Sequence, residues 1–228
     1  MLSSEFLSKI DFPILLIFSG IFLLLFAIAE IAYHIFKIDV EYTRKFVHIF
    51  TGLISLAFPI YLKNPLDLLI LCVSFALIVG LSIKLNLLHS VNAIKRTSRG
   101  SILFPIVVIV SYLFQYYHNT YVYFFIPILT LALADPAAAF IGKKYPKGKF
   151  SILGNQKTFS GCMGFFVTAL VIGIYSMYLF ENAFTAIGLI ISLTIALAAT
   201  IGEAVSIRGY DNLVVPLCCI AVLLMFGI

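Results

Sequence analysis

Charge is what this sequence has least of. Asp, Glu, Lys and Arg supply only 11% of its 228 residues, against about a quarter in soluble domains. So few charges could not cover a water-facing surface. With 62% hydrophobic residues and a mean hydropathy of +1.12, no soluble core could hide the remainder. A soluble globular domain is therefore excluded, as are disordered, collagen-like and coiled-coil chains. Cysteine is also sparse. Cys72, Cys162, Cys218 and Cys219 lie in apolar runs without C-x-x-C spacing, which argues against a disulfide framework or thiolate metal site and reads as packing. The first apolar run is too long for a signal-peptide core, and no small-residue cleavage site follows it; it is expected to stay as the first span. No internal repeat or low-complexity linker divides the chain, so residues 1–228 read as one transmembrane domain. The net charge of +5 points to topology and anionic partners, with no nucleic acid implied.

The apolar residues themselves form long continuous runs. A membrane-crossing helix takes about 20 apolar residues, and continuous rather than alternating runs favour helices over a barrel. The runs predict an all-α polytopic bundle of about eight spans: 13–36, 45–62, 66–83, 102–117, 121–142, 159–180, 183–204 and 212–228. The last is short, so seven is the alternative. With eight, 13 of the 15 basic residues fall in the loops after odd-numbered spans, leaving only Lys9 and Lys63 opposite. The positive-inside rule then makes those loops cytoplasmic and puts both termini outside. Tyrosines 116, 117, 121 and 123 read as an outer aromatic belt beside a solvated His118.

Charges inside a bilayer are costly and are functional candidates by default. Here they gather on the side assigned to the cytoplasm. Arg44, Lys45 and His48 sit three and four residues apart, so a helix puts them on one face, with Gly52 one turn further on. Lys95, Arg96 and Arg99 stand among Thr97, Ser98, Gly100 and Ser101, donors suited to phosphate or to a topological anchor. Asp135 lies in A-D-P-A-A-A-F-I-G, about 12 Å below the following loop if helical. Pro136 is expected to disturb that helix and free a carbonyl. Residues 142–161 hold five lysines, four glycines and no acid. They read as a loop that could wrap a polyphosphate, with Lys143, Lys144, Lys149 and Lys157 as point charges and glycines allowing close backbone approach. It is not a Walker A loop. Glu203, Asp211 and Asn212 flank a turn at Gly209. Their oxygens suit Mg²⁺, although Glu203 could instead pair with Arg208 and Asp211 could cap a helix. Glu30 and His34, four apart, read as a local pair. Acids for a divalent metal beside a lysine-rich segment are the ingredients of phosphoryl transfer, with Asp135 or His48 as general base.

Four motifs in order carry a family resemblance: R-K-x-x-H-x-x-x-G at 44–52, A-D-x-x-A-x-x-x-G-K-K at 134–144, G-x-x-K-T-x-x-G at 154–161 and E-x(7)-D-N-x-x-x-P at 203–216. The chain resembles the CTP-dependent lipid kinase family, which includes dolichol kinase, phytol kinase and yeast-type diacylglycerol kinase. Small prokaryotic members of this family are often labelled phosphatidate cytidylyltransferase. The resemblance implies CTP as phosphoryl donor, a divalent metal such as Mg²⁺ and an isoprenoid or glyceride alcohol as acceptor. It implies nucleotide contacts at the lysine-rich segment, with Gly142, Lys143, Lys144, Lys149 and Gly161, and at Lys157 and Thr158; the residue reading adds Arg99. Asp135, His48, Arg44 and Lys45 are the candidate catalytic residues, and Asp135, Glu203, Asp211 and Asn212 the candidate metal ligands. One departure stands out. Ser160 occupies the position where the family commonly has Glu before the last glycine of K-T-x-E-G. The dense Asp/Arg/Gly signature of true phosphatidate cytidylyltransferases and the three spaced aspartates of CDP-alcohol phosphotransferases are both missing. The alternatives are a cytidylyltransferase making CDP-lipid, or an anionic-solute transporter or flippase.

Overall fold

The computed structural model describes residues 10–85, 87–93, 100–152, 155–181 and 185–228. Arg99 and the other residues of the 94–99 basic stretch lie outside them. The chain divides into two compact units, Met1–Arg96 and Thr97–Ile228.

The first unit is built from α1 (Phe12–His34), α2 (Val40–Ser55), α3 (Phe58–Tyr61), α4 (Pro65–Lys84) and α5 (His89–Asn92). Each long helix starts at a sequence-encoded cap. The side chains of Asp11, Asp39 and Asn64 accept the N–H groups of Ile14, Glu41 and Leu66, satisfying donors that have no intrahelical partner. The Asp11 N–H also donates to Asp67 Oδ1 at 3.3 Å, so α1 and α4 begin at the same end. Hence α2 and α3 together carry the chain back across the unit. They are two helices rather than one because Pro59 has no N–H for the Ser55 carbonyl. The buried positions of α2, Thr43, Val47, Thr51, Gly52 and Ser55, recur at helical spacing, small and polar rather than large and apolar. A run of edge-to-face and stacked rings (Phe18, Phe22, Phe26, Phe58, Phe75) locks α1 to α3 and α4.

The second unit contains α6 (Gly100–His118), α7 (Val122–Leu129), α8 (Asp135–Lys144), a hairpin of β1 (Lys149–Ile152) and β2 (Asn155–Thr158), α9 (Phe159–Glu181), α10 (Ala186–Val205) and α11 (Asp211–Met225). Between α7 and α8 lies one π-helical turn, Thr130–Ala134. Pro127 and Pro136 bracket this turn and remove two backbone donors, so the widened turn is the disturbance that Pro136 predicts. It ends at Asp135. Small residues let the helices approach. A Cβ on Gly173 would come within 3.0 Å of Ser192, and one on Gly202 within 3.0 Å of Val214 and Cys218, the close contact by which helices associate in lipid. The core runs through Tyr123, Ile126, Ala134, Phe165, Ile195, Val215 and Leu223.

Among the described residues, six helices are long and apolar enough to cross a membrane: α1, α4, α6, the α7–α8 run, α9 and α10. The shorter α11 is also apolar. The protein is therefore an all-α, multi-pass membrane protein, with one small hairpin added. With α2–α3 recrossing the first unit and α11 added, the described helices are consistent with the expected bundle of about eight. Two expectations change at the end of the second unit opposite Asp135. Tyr123 is fully buried, its hydroxyl donating to the Ile228 carbonyl at 2.7 Å, so it belongs to the core and not to an outer belt. His118 packs 4.4 Å from its ring. The four cysteines are free thiols.

Candidate active site

The second unit brings three separated motifs, at 134–144, 154–161 and 203–216, to one end. The α8 and α9 helices meet where glycines replace side chains. A Cβ on Gly142 would sit 2.7 Å from Thr158 Oγ1 and 3.5 Å from Gly161 Cα, and one on Gly161 would sit 3.0 Å from the Ala138 carbonyl. Thr158 itself caps α9, its Oγ1 accepting the Gly161 N–H at 3.1 Å. Gly142, Thr158 and Gly161 thus have a packing role wherever else they act.

The lysine-rich segment is not a free loop. The α8 helix runs on to Lys144, and the chain turns at Gly148 in the left-handed region (φ +63°). It then enters an antiparallel hairpin pairing Lys149 with Thr158 and Phe150 with Lys157. Its base is fixed to the start of α9. The Phe159 N–H donates to the Gly148 carbonyl at 3.0 Å, and the Ser160 hydroxyl donates to the Tyr145 carbonyl. Ser160, at the family's glutamate position, is therefore a strut between α8 and α9. Paired strands put partners on one face. Lys157 consequently shares the half-buried face of Phe150 and Ile152, while Lys149, Ser151 and Gln156 face out. Lys143, Lys144 and Lys147 are exposed as well, Lys144 lying 5.3 Å from the Tyr145 ring.

That inward face aims Lys157 at Glu203, the central contact of the site. The ammonium is ion-paired with Glu203 Oε1 and also donates to the Glu203 backbone carbonyl at 3.2 Å. The Glu203 side chain is only 6% exposed, so this pairing offsets the cost of burying its charge. Glu203 therefore pairs with Lys157, not with exposed Arg208. Asp135 and Asp211 both act electrostatically on Glu203, and Cys162 feels both Glu203 and Lys157. Asp211 is brought near by a tight reversal in which Arg208 (φ +54°) and Gly209 (φ +86°) are successively left-handed. Gly209 adopts this freely, whereas Arg208 does so at about 1 kcal/mol or more. Asn212 is buried at the first turn of α11.

The remaining sequence candidates, Arg44, Lys45 and His48, sit on α2 in the first unit. Arg44 pairs with Glu41 at 3.1 Å, and its Nε is buried with no hydrogen-bond partner. The Lys157–Glu203 pair and the hairpin escaped the sequence reading. The alternation of K-F-S-I before Gly154 is the sequence signal for the hairpin, whereas no local signal marks the pair.

Carboxylates near one buried ion pair, with exposed lysines on and before the adjoining hairpin, form a set of hard oxygen donors next to a group of cations. Residues 5–206 match the family described as the Cytidylyltransferase family. A phytol kinase from Synechocystis is 30% identical over 181 residues, covering 78% of this chain and 76% of that protein. No solved structure matches. With most of its length matched in both comparisons, the chain belongs to the cytidylyltransferase family, among its CTP-dependent lipid kinases.

Proposed function

We propose that the protein transfers the γ-phosphoryl group of CTP to the hydroxyl of a membrane isoprenoid alcohol of the phytol or polyprenol type, at the cytoplasmic surface. The observation that carries this is the Lys157–Glu203 ion pair, with Asp135 and Asp211 within electrostatic reach of Glu203. It places hard acids and a cation together at one end of apolar helices, where a soluble nucleotide can meet a lipid headgroup. The kinase relative acts, by its name, on phytol, which favours an isoprenoid acceptor over diacylglycerol.

In this reading Asp135 accepts the proton as the lipid oxygen bonds to the γ-phosphorus. The bond from that phosphorus to the β–γ bridging oxygen breaks, and CDP leaves. Lys157 and the exposed Lys143, Lys144 and Lys149 hold phosphate oxygens, and Gly142, Thr158 and Gly161 keep the backbone close enough for them to do so. Asp135, Glu203, Asp211 and Asn212 would hold Mg²⁺, whose hard-oxygen preference they fit and which would neutralise phosphate charge. Arg44, Lys45 and His48 are assigned catalytic roles on the R-K-x-x-H motif, and Arg99 is assigned to phosphate binding on the hydroxyl-rich basic stretch around it. Purified protein given CTP labelled at the γ-phosphorus and Mg²⁺ should phosphorylate phytol or a polyprenol. Failure to label either alcohol, or diacylglycerol, would overturn the proposal.

A further inference from the structure

Outside this site, the first unit gathers a second set of metal-ligating side chains. Glu30 and His34 lie one helical turn apart near the end of α1, with His34 Nε2 3.0 Å from Glu30 Oε2. The α5 turn adds His89, whose ring centre is 5.6 Å from that of His34. One ligand atom from each of the three residues lies within 4.8 Å of the other two. The backbone holds this arrangement in place. The Ser90 N–H donates to Glu30 Oε1 at 2.9 Å, and the Ser90 carbonyl accepts the Thr43 hydroxyl at 2.6 Å. Residue 90 is thus tied to α1 on one side and α2 on the other. Leu88, just before His89, is held in the left-handed region (φ +53°), a conformation a branched side chain rarely takes unless the surroundings impose it.

We propose that Glu30, His34 and His89 bind one divalent transition-metal ion of the zinc class, separately from the kinase chemistry. Two imidazoles and a carboxylate make a three-ligand zinc set with a fourth position for water. Imidazole nitrogens also select against Mg²⁺. Tetrahedral ligands on bonds of about 2.0 Å stand about 3.3 Å apart, so rotamer adjustment of the exposed His34 and His89 completes the geometry without moving the backbone. Binding through Nε2 would replace the contact that His34 makes with Glu30 Oε2. Oε1 keeps its Ser90 bond, which orients the carboxylate as second partners of metal ligands do. The ion would clamp α5 onto the end of α1.

The test is a titration of untagged, chelator-stripped full-length protein in detergent with Co²⁺ and then Zn²⁺, in excess Mg²⁺. The expected result is one ion per chain, with the visible bands of four-coordinate Co²⁺ lost on adding Zn²⁺. His34→Gln and His89→Gln should each weaken binding by about tenfold or more, whereas Asp135→Asn should leave it unchanged. Absence of those bands in the wild-type protein, which requires no variant to fold, would overturn the proposal. So would wild-type affinity in both histidine variants.

Discussion

At the residue scale, the decisive fact is that Lys157 does not stand free. A lysine in a K-T-x-x-G motif reads as a phosphate ligand, yet here its ammonium neutralises the nearly buried Glu203. The two roles are compatible if the pair is the resting form of the site and incoming anion and cation divide it. The pair has a stability signature of its own. Lys157→Ala leaves a buried carboxylate unpaired and should cost about 3 kcal/mol, the lower end of the range for broken buried pairs, since the lysine is 22% exposed. Removing both charges with Lys157→Ala and Glu203→Ala should recover part of that loss, with a coupling of about 0.5–3 kcal/mol. Additive thermal destabilisation in detergent would show that the pair carries no coupling. Asp135→Asn should lower turnover by about 10²–10⁴, the span general-base catalysis supplies, while the protein still inserts. Activity within a few-fold of wild type would remove Asp135 from proton transfer.

At the scale of elements, the site depends on how α8, the hairpin and α9 close on one another. The two helices touch through Gly142 and Gly161, with the capping hydroxyl of Thr158 between them. Gly142→Ala would place a methyl 2.7 Å from that hydroxyl, forcing the cap apart or the helices to separate. It should destabilise the protein by about 1–3 kcal/mol and lower activity beyond what stability explains; a change within about 0.5 kcal/mol would mean the helices adjust freely. These elements also show where sequence reading succeeds and where it stops. Long apolar runs give the spans because lipid leaves few options. Asp135-Pro136 gives the helix disturbance, because a missing N–H is a local property. The aim of Lys157 at Glu203 joins residues 46 apart in sequence and depends on hairpin register. The burial of Tyr123 depends on a bond to Ile228. Neither is encoded by local spacing. The Glu30–His34 pair is visible at helical spacing, but its third partner, His89, comes from a separate element.

At the scale of the molecule, the second unit has opposite chemistry at its two ends. Asp135, Lys157, Glu203 and Asp211 share one end. The other holds the Thr120–Glu181 hydrogen bond and the aromatic group of Phe114, His118 and Tyr123. This polarity matches the excess of basic residues on one side of the sequence-derived topology, and it leads us to place the hairpin in the cytoplasm. A cysteine at exposed position 147 should react with an impermeant thiol reagent in inside-out vesicles and stay protected in right-side-out ones; the reverse pattern would invert the topology. The central claim is that this polar end performs phosphoryl transfer, and it differs from cytidylyl transfer in the bond broken. A kinase cleaves the β–γ link of CTP, whereas a cytidylyltransferase cleaves the α–β link. The most direct measurement is therefore the nucleotide product formed by purified protein with CTP, Mg²⁺ and an isoprenoid alcohol. The account predicts CDP, equimolar with lipid monophosphate; release of pyrophosphate with a cytidylylated lipid would contradict it.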